Sequence, residues 1–227
     1  MKTAVTTLLL LTSFSTVAIA DTIAIVGTGQ VAKALGPEFA AQGYDIVYGS
    51  RDPEGQGARD VVAMTPGGAR AELPQDSVRD ADIVVLAVPG ELVEEITLGL
   101  GDLSGKIIID PTNALAGDWD TELSMGVSTS NGRIIQDAAP DAFVVKAFST
   151  LNWRQMVEPG GDISILLAGD SDAAKAKVAQ LVSAMDLKPI DLGGIDNAHW
   201  IEGMTILWLN NRISGRPDFE YYLRVID

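Results

Sequence analysis

The 227-residue sequence predicts an α/β fold: one mainly parallel sheet, doubly wound, with helices on both faces. Three observations carry that expectation. Apolar runs at residues 22–26, 45–48, 82–88, 106–109 and 143–147 have the continuous hydrophobicity of strands buried on both sides. Helical patterns between them supply the crossovers that parallel strands need. A hydrophobic content of 47% with only 6% aromatic residues fits a sheet built from Ala, Val, Ile and Leu. Together these features describe a Rossmann-type domain, and residues 21–227 have room for one such domain with a C-terminal helical tail.

The first strand, Thr22 to Val26, runs into Gly27-Thr28-Gly29-Gln30-Val31-Ala32. In such a turn the first glycine permits a tight reversal, and the second lets backbone N–H groups approach a pyrophosphate. The small Ala32 allows close packing of helix on strand. A glycine-rich turn of this length also arises by chance. Here a strand precedes it, a helix running from Val31 through Ala41 follows, and Gly43 leads to a second strand. That context makes it a dinucleotide turn, with the helix N-terminus facing the phosphates. About twenty residues on, an NAD-selective site carries an acid for the ribose 2′-OH. This chain has Gly49-Ser50-Arg51 there, a hydroxyl and a guanidinium suited to a 2′-phosphate, so the expected cofactor is NADP(H).

Residues 52–68 are rich in Gly, Pro and charge, and read as a loop and short helix over the adenine end. The 82–88 strand ends in Pro89-Gly90 before a helix at 91–100, which puts the Ala87-Val88-Pro89 turn beside the cofactor. Two more strands close in Asp110-Pro111-Thr112-Asn113 and Phe148-Ser149-Thr150, at the carboxyl edge where ligands of open α/β sheets collect. The connection 114–141 has no clear period and reads as mobile, with a lid as the alternative. A strand at 163–168, a helix at 171–185 capped by Ser171 or Asp170, and a strand at 188–192 follow. The stretch 196–211 reads as one helix. Its Trp and Met residues suit core or a dimer interface, and its His199 reads as structural.

Residue counts narrow the chemistry further. The absence of Cys excludes disulfides, thiolate nucleophiles and Cys-ligated metals, and a single His excludes a multi-His site, so no metal is expected. A formal charge of −15 repels nucleic acid and anionic membranes. No acid–base pair stands out, and the catalytic residues are unassigned. Hydride transfer tolerates that, because the cofactors supply the reactivity.

Residues 1–20 have a basic start, a short apolar middle and an Ala-x-Ala end, the pattern of a signal peptide cleaved before Asp21. A periplasmic or secreted protein without stable membrane insertion is the expectation. Free NADPH is scarce in such places, and the presequence has no twin-Arg pair to suggest export of a loaded protein.

The motifs Gly27-Thr28-Gly29-Gln30, Gly49-Ser50-Arg51, Ala87-Val88-Pro89, Val145-Lys146-Ala147-Phe148 and Ala168-Gly169-Asp170 through Ile190-Asp191-Leu192-Gly193 resemble the NADPH-dependent coenzyme F-420 reductase family. The reductase domain of the six-transmembrane metalloreductases is similar too. The resemblance implies that Thr28, Ser50 and Arg51 bind the 2′-phosphate. It also implies that Ala87, Val88, Pro89, Asn113, Lys146 and Ala147 line the nicotinamide. With Gly27, Gly29, Gln30 and Val31 these complete the expected cofactor site. The activity implied is that of an NADP-dependent oxidoreductase passing hydride between NADPH and a flavin- or deazaflavin-type small molecule. A non-catalytic NADP-binding sensor and the soluble half of a membrane electron-transfer system are the alternatives, and a homodimer is a further expectation.

Overall fold

A computed structural model describes residues 21–160 and 162–216. The expected signal peptide and the end of the tail lie outside the described residues.

The elements run β1 (Thr22–Val26), α1 (Gln30–Ala41), β2 (Asp45–Gly49), α2 (Gln56–Met64), β3 (Arg70–Glu72), α3 (Pro74–Ser77) and β4 (Ile83–Leu86). A 3-10 turn (Gly90–Leu92) then leads to α4 (Val93–Gly99), β5 (Ile107–Asp110), β6 (Leu115–Asp118), β7 (Glu122–Met125), α5 (Asn131–Ala138) and β8 (Phe143–Lys146). The remainder is α6 (Trp153–Val157), β9 (Ser164–Leu167), α7 (Asp172–Ser183), β10 (Lys188–Asp191), a second 3-10 turn (Ile195–Asn197) and α8 (Ala198–Ile213).

Six strands form one parallel sheet in the order β3-β2-β1-β4-β5-β8. This is the doubly wound Rossmann order, whose direction of winding reverses between β1 and β4. Because side chains alternate across a strand, β1 sends Ile23 and Ile25 to one face and Ala24 and Val26 to the other. The first face packs on α1, α6 and α7 through Leu35, Phe39, Met156, Val178 and Leu181. The second packs on α4 and α5 through Val93 and Ile135. Burial on both sides is what makes these strands continuous apolar runs in the sequence.

The approach of α1 to the sheet depends on Gly36 as well as Ala32. A Cβ added at Gly36 would come within 1.8 Å of the Tyr48 hydroxyl, which hydrogen-bonds Thr65 Oγ1 at 2.6 Å. β9 and β10 form a separate two-stranded parallel sheet, joined to β8 by a Lys146–Ala168 bridge.

The connection expected to be mobile is ordered. It forms the antiparallel hairpin β6–β7 and then α5, whose N-terminus is capped by Ser130 Oγ accepting from the Arg133 N–H at 3.1 Å. The hairpin is pinned to α8 by the Asn210 side chain. Its Nδ2 donates to the Leu123 carbonyl and its Oδ1 accepts from the Leu123 N–H, both at 2.7 Å. No helix among the described residues is long and apolar enough to cross a membrane.

Candidate cofactor site

A cleft of about 890 Å³ opens at the reversal point between β1 and β4. Its size falls within the range of small-molecule sites, roughly 300–1,000 Å³. Gly27, Thr28 and Gly29 form one wall, Ser50 and Arg51 the rim beyond β2, and Ala87, Val88 and Pro89 the opposite side.

Each part of that wall follows from local chemistry. Gly27 has φ +116°, a conformation open essentially to glycine, and its N–H donates to the Gly49 carbonyl at 2.8 Å. A Cβ there would lie 2.2 Å from the Ala87 carbonyl oxygen, so this glycine also lets the turns after β1 and β4 touch. At Gly29 an added Cβ meets nothing within 4 Å, which leaves open space in front of α1. The helix begins there with no side-chain cap and no acidic residue in its first turn. Its first N–H groups and the positive end of its dipole therefore face the cleft uncompensated.

At the rim, Ser50 Oγ donates to the Asp52 carbonyl at 2.9 Å, which turns the segment after β2 back on itself. Arg51 is exposed and makes no ion pair among the described residues. An unpaired guanidinium beside an uncapped helix N-terminus is a cradle for phosphate groups. The residues present therefore fit a phosphorylated dinucleotide.

Sequence reasoning did not name several wall residues. The loop and short helix expected over the adenine end supply Gly55 and, at the start of α2, Gln56 and Gly57; Pro74, the first residue of α3, and Leu92 and Ile96, before and within α4, also line the cleft. Gly57 is pressed against the turn after β1, where a Cβ would come 3.0 Å from Thr28 Oγ1, a contact that no local sequence pattern announces. Asp52 lines the rim next to Arg51.

Other expected site residues stand elsewhere. Gln30 is the exposed first residue of α1, and Val31 is half-buried against the larger core. Asn113, Lys146 and Ala147 lie at the ends of β5 and β8, outside the walls of the cleft. Lys146 keeps its side chain away from the cleft, fully buried inside the protein. Its ammonium sits 2.5 Å from Asp110 Oδ2 and 2.6 Å from Glu202 Oε1, and donates to the Thr112 carbonyl at 2.8 Å. Glu202 Oε2 in turn accepts the N–H groups of Ala114 and Asn131 at 2.9 and 3.2 Å, which ties the end of β5 and the start of α5 to α8. His199 is structural in geometry, with Nδ1 donating to the Thr129 carbonyl at 2.5 Å and its ring edge-on to Trp200. No cluster of metal-binding side chains occurs among the described residues.

Cleft and fold together define the class of Rossmann-type α/β domains that suit a phosphorylated dinucleotide. Within it, the model of the family "NADP oxidoreductase coenzyme F420-dependent" matches residues 22–114, from β1 to just past β5, and the chain resembles that family. F420-dependent NADP reductase of Methanothermobacter marburgensis is 26% identical over 211 residues, covering 84% of this chain and 91% of its own. Metalloreductase STEAP3 of Rattus norvegicus is 25% identical over 189 residues, 82% of this chain, which thus spans 37% of that relative's length. A solved chain from Arthrobacter sp. FB24, named for F420-dependent NADP reductase, superposes with a TM-score of 0.80 at 29% identity over 89% of this chain and 99% of that one.

Proposed function

We propose that the protein binds NADPH in preference to NADH and passes its hydride to a flavin- or deazaflavin-type ring at the carboxyl edge of the sheet. The observation that carries this reading is the unpaired Arg51 at the cleft rim, with Ser50 beside it, where an acid would stand in an NAD-selective site. The likeness to F420-dependent NADP reductases supports the choice of acceptor class.

The chain's own part in the reaction is to bind and orient. Gly27 and Gly29 admit the pyrophosphate to the α1 N-terminus, Arg51 and Ser50 hold the 2′-phosphate, and Ala87 to Pro89 fix the side of the crevice leading to β5 and β8. When bound, the cofactor supplies the hydride. The protein's contribution is alignment of two rings at about 3–3.5 Å, which needs no strong acid or base.

Mixing purified protein with NADPH and a panel of FMN, FAD and deazaflavin, and following absorbance at 340 nm, tests this reading. Oxidation with one of these acceptors supports it. Binding without oxidation supports the non-catalytic sensor instead.

Export belongs to the same proposal, carried by the basic, apolar and Ala-x-Ala pattern of residues 1–20. The mass of the native protein tests it: a mature N-terminus at Asp21 is expected, and retention of Met1 contradicts it.

A further inference from the structure

α8 is apolar on two sides, and the described residues cover only one of them. Its inner side buries Ala198, Ile201, Glu202, Thr205 and Ile206. On the opposite side Trp200, Met204 and Leu207 stand at i, i+4 and i+7 and form one stripe. Trp200 is 70% exposed, Leu207 is 68% exposed and Met204 is half-buried. At Gly203 an added Cβ meets no described atom within 4 Å, so nothing among the described residues lies over the stripe there. A solvent-facing helix side ordinarily carries charge, and a helix that is apolar all round is ordinarily buried.

The end of the same helix supplies a cover. Gly215 takes φ +65°, its N–H donates to the Arg212 carbonyl at 3.0 Å, and the Arg216 N–H donates to the Asn211 carbonyl at 3.3 Å. This is the Schellman arrangement, which closes a helix and breaks its direction, and Pro217 follows, a residue that cannot continue it. In the segment 217–227 Phe219, Tyr221, Leu223 and Val225 alternate with Asp218, Glu220, Tyr222 and Arg224. That period of two gives an extended segment one apolar side. Extended, its eleven residues reach about 36 Å, whereas Ile213 back to Trp200 along α8 is only about 20 Å. The acids nearest the turn, Asp218 and Glu220, follow a helix end that carries Arg212 and Arg216.

We propose that residues 217–227 lie back along α8 in extended form, with their apolar side on Trp200, Met204 and Leu207. Tethered beside the stripe, this segment acts at a high effective concentration. A second copy of the chain brings another formal charge of −15 and is repelled at long range, which favours the chain's own segment as the occupant. The inner side of α8 holds Lys146 through Glu202 and the Ser149 carbonyl through Thr205 Oγ1. The segment therefore clamps, from outside, the helix that anchors the carboxyl edge of the sheet.

The chain has no Cys, so a single introduced thiol reports on the stripe. The rate at which a bulky maleimide labels Leu207→Cys is measured in the full chain, with and without Phe219→Asp and Leu223→Asp in the segment. Labelling is expected to be about tenfold faster or more with the two aspartates, because the cover then opens more often. Leu98→Cys on α4, 64% exposed in the parent, serves as the control and is expected to label at one rate in both backgrounds. Protection of Leu207→Cys is also expected to be the same across a hundredfold range of protein concentration, as a tethered cover requires. Equal rates at Leu207→Cys in the two backgrounds overturn the proposal. So does a rise at both reporters, which marks a general loosening of the fold, and so does protection lost on dilution, which marks a second copy as the cover.

Discussion

Glu202 on α8 receives the Lys146 ammonium of β8 at 2.6 Å in a place where both side chains are fully buried. Asp110 at the end of β5 holds the same ammonium at 2.5 Å, so one cation joins two carboxylates, and three elements meet at it. The network fixes the strand ends next to the cleft without facing into it.

Removing that cation should be severe. Lys146→Met leaves two buried carboxylates facing each other, and breaking a buried pair in this way costs about 3–5 kcal/mol. For a domain of this size the melting temperature should fall by on the order of 10 °C. Adding Glu202→Gln should recover part of the loss, because it removes one of the uncompensated charges. Thermal melts of the single and double variants measure this, and a drop of only a degree or two in Lys146→Met contradicts the network's role.

Gly27→Ala should destroy cofactor binding. The substitution forces φ +116° on a residue with a Cβ and drives that Cβ to 2.2 Å from the Ala87 oxygen, so the turns after β1 and β4 must part. Gly29→Ala is the control for the fold, since its Cβ meets no protein atom within 4 Å and α1 should form unchanged, although the added methyl enters the space left for the pyrophosphate. Thermal melts followed by circular dichroism check the difference, with Gly27→Ala destabilised and Gly29→Ala close to the parent. Equal stability of the two variants contradicts the close approach described here.

The pH dependence of stability should carry a mark of Tyr48. Burial holds its phenol above the ordinary value of 10.0, with the hydrogen bond to Thr65 acting in the opposite sense. Below that pH the hydroxyl is neutral in both folded and unfolded chains, and the contribution is intact. As the pH rises beyond it the unfolded chain ionises first, so stability is lost through the raised folded value. Tyr48→Phe should cost about 0.5–1.5 kcal/mol near neutral pH and make the alkaline loss shallower, as urea melts across pH 8–11 would read out. An unchanged alkaline slope contradicts the assignment.

The sheet was legible in the sequence because every central strand is buried on both faces. The reading 45–48 became Asp45–Gly49 and 143–147 became Phe143–Lys146, shifts of one residue. Short edge elements were not legible. β3 has only three residues, none of them fully buried, and so carries no apolar run. The segment 114–141 hid a hairpin because β6 is Leu-Ala-Gly-Asp, with a polar exposed end and a stability that comes from Asn210 on a distant helix. At the site, Gly27, Gly29 and the turns around Ser50 and Ala87 announced themselves through spacing. Lys146 did not, because its partners Asp110 and Glu202 are far apart in sequence and meet only through the topology.

The most direct test is the cofactor preference of Arg51→Ala. An unpaired guanidinium that receives the 2′-phosphate contributes one charge-assisted interaction, so its loss should weaken NADPH binding roughly ten- to a hundredfold and leave NADH binding unchanged. Parallel fluorescence titrations of parent and variant with both nucleotides give the answer. A selective collapse of NADPH affinity is the expected result, and an undiminished preference for NADPH in the variant would contradict the account.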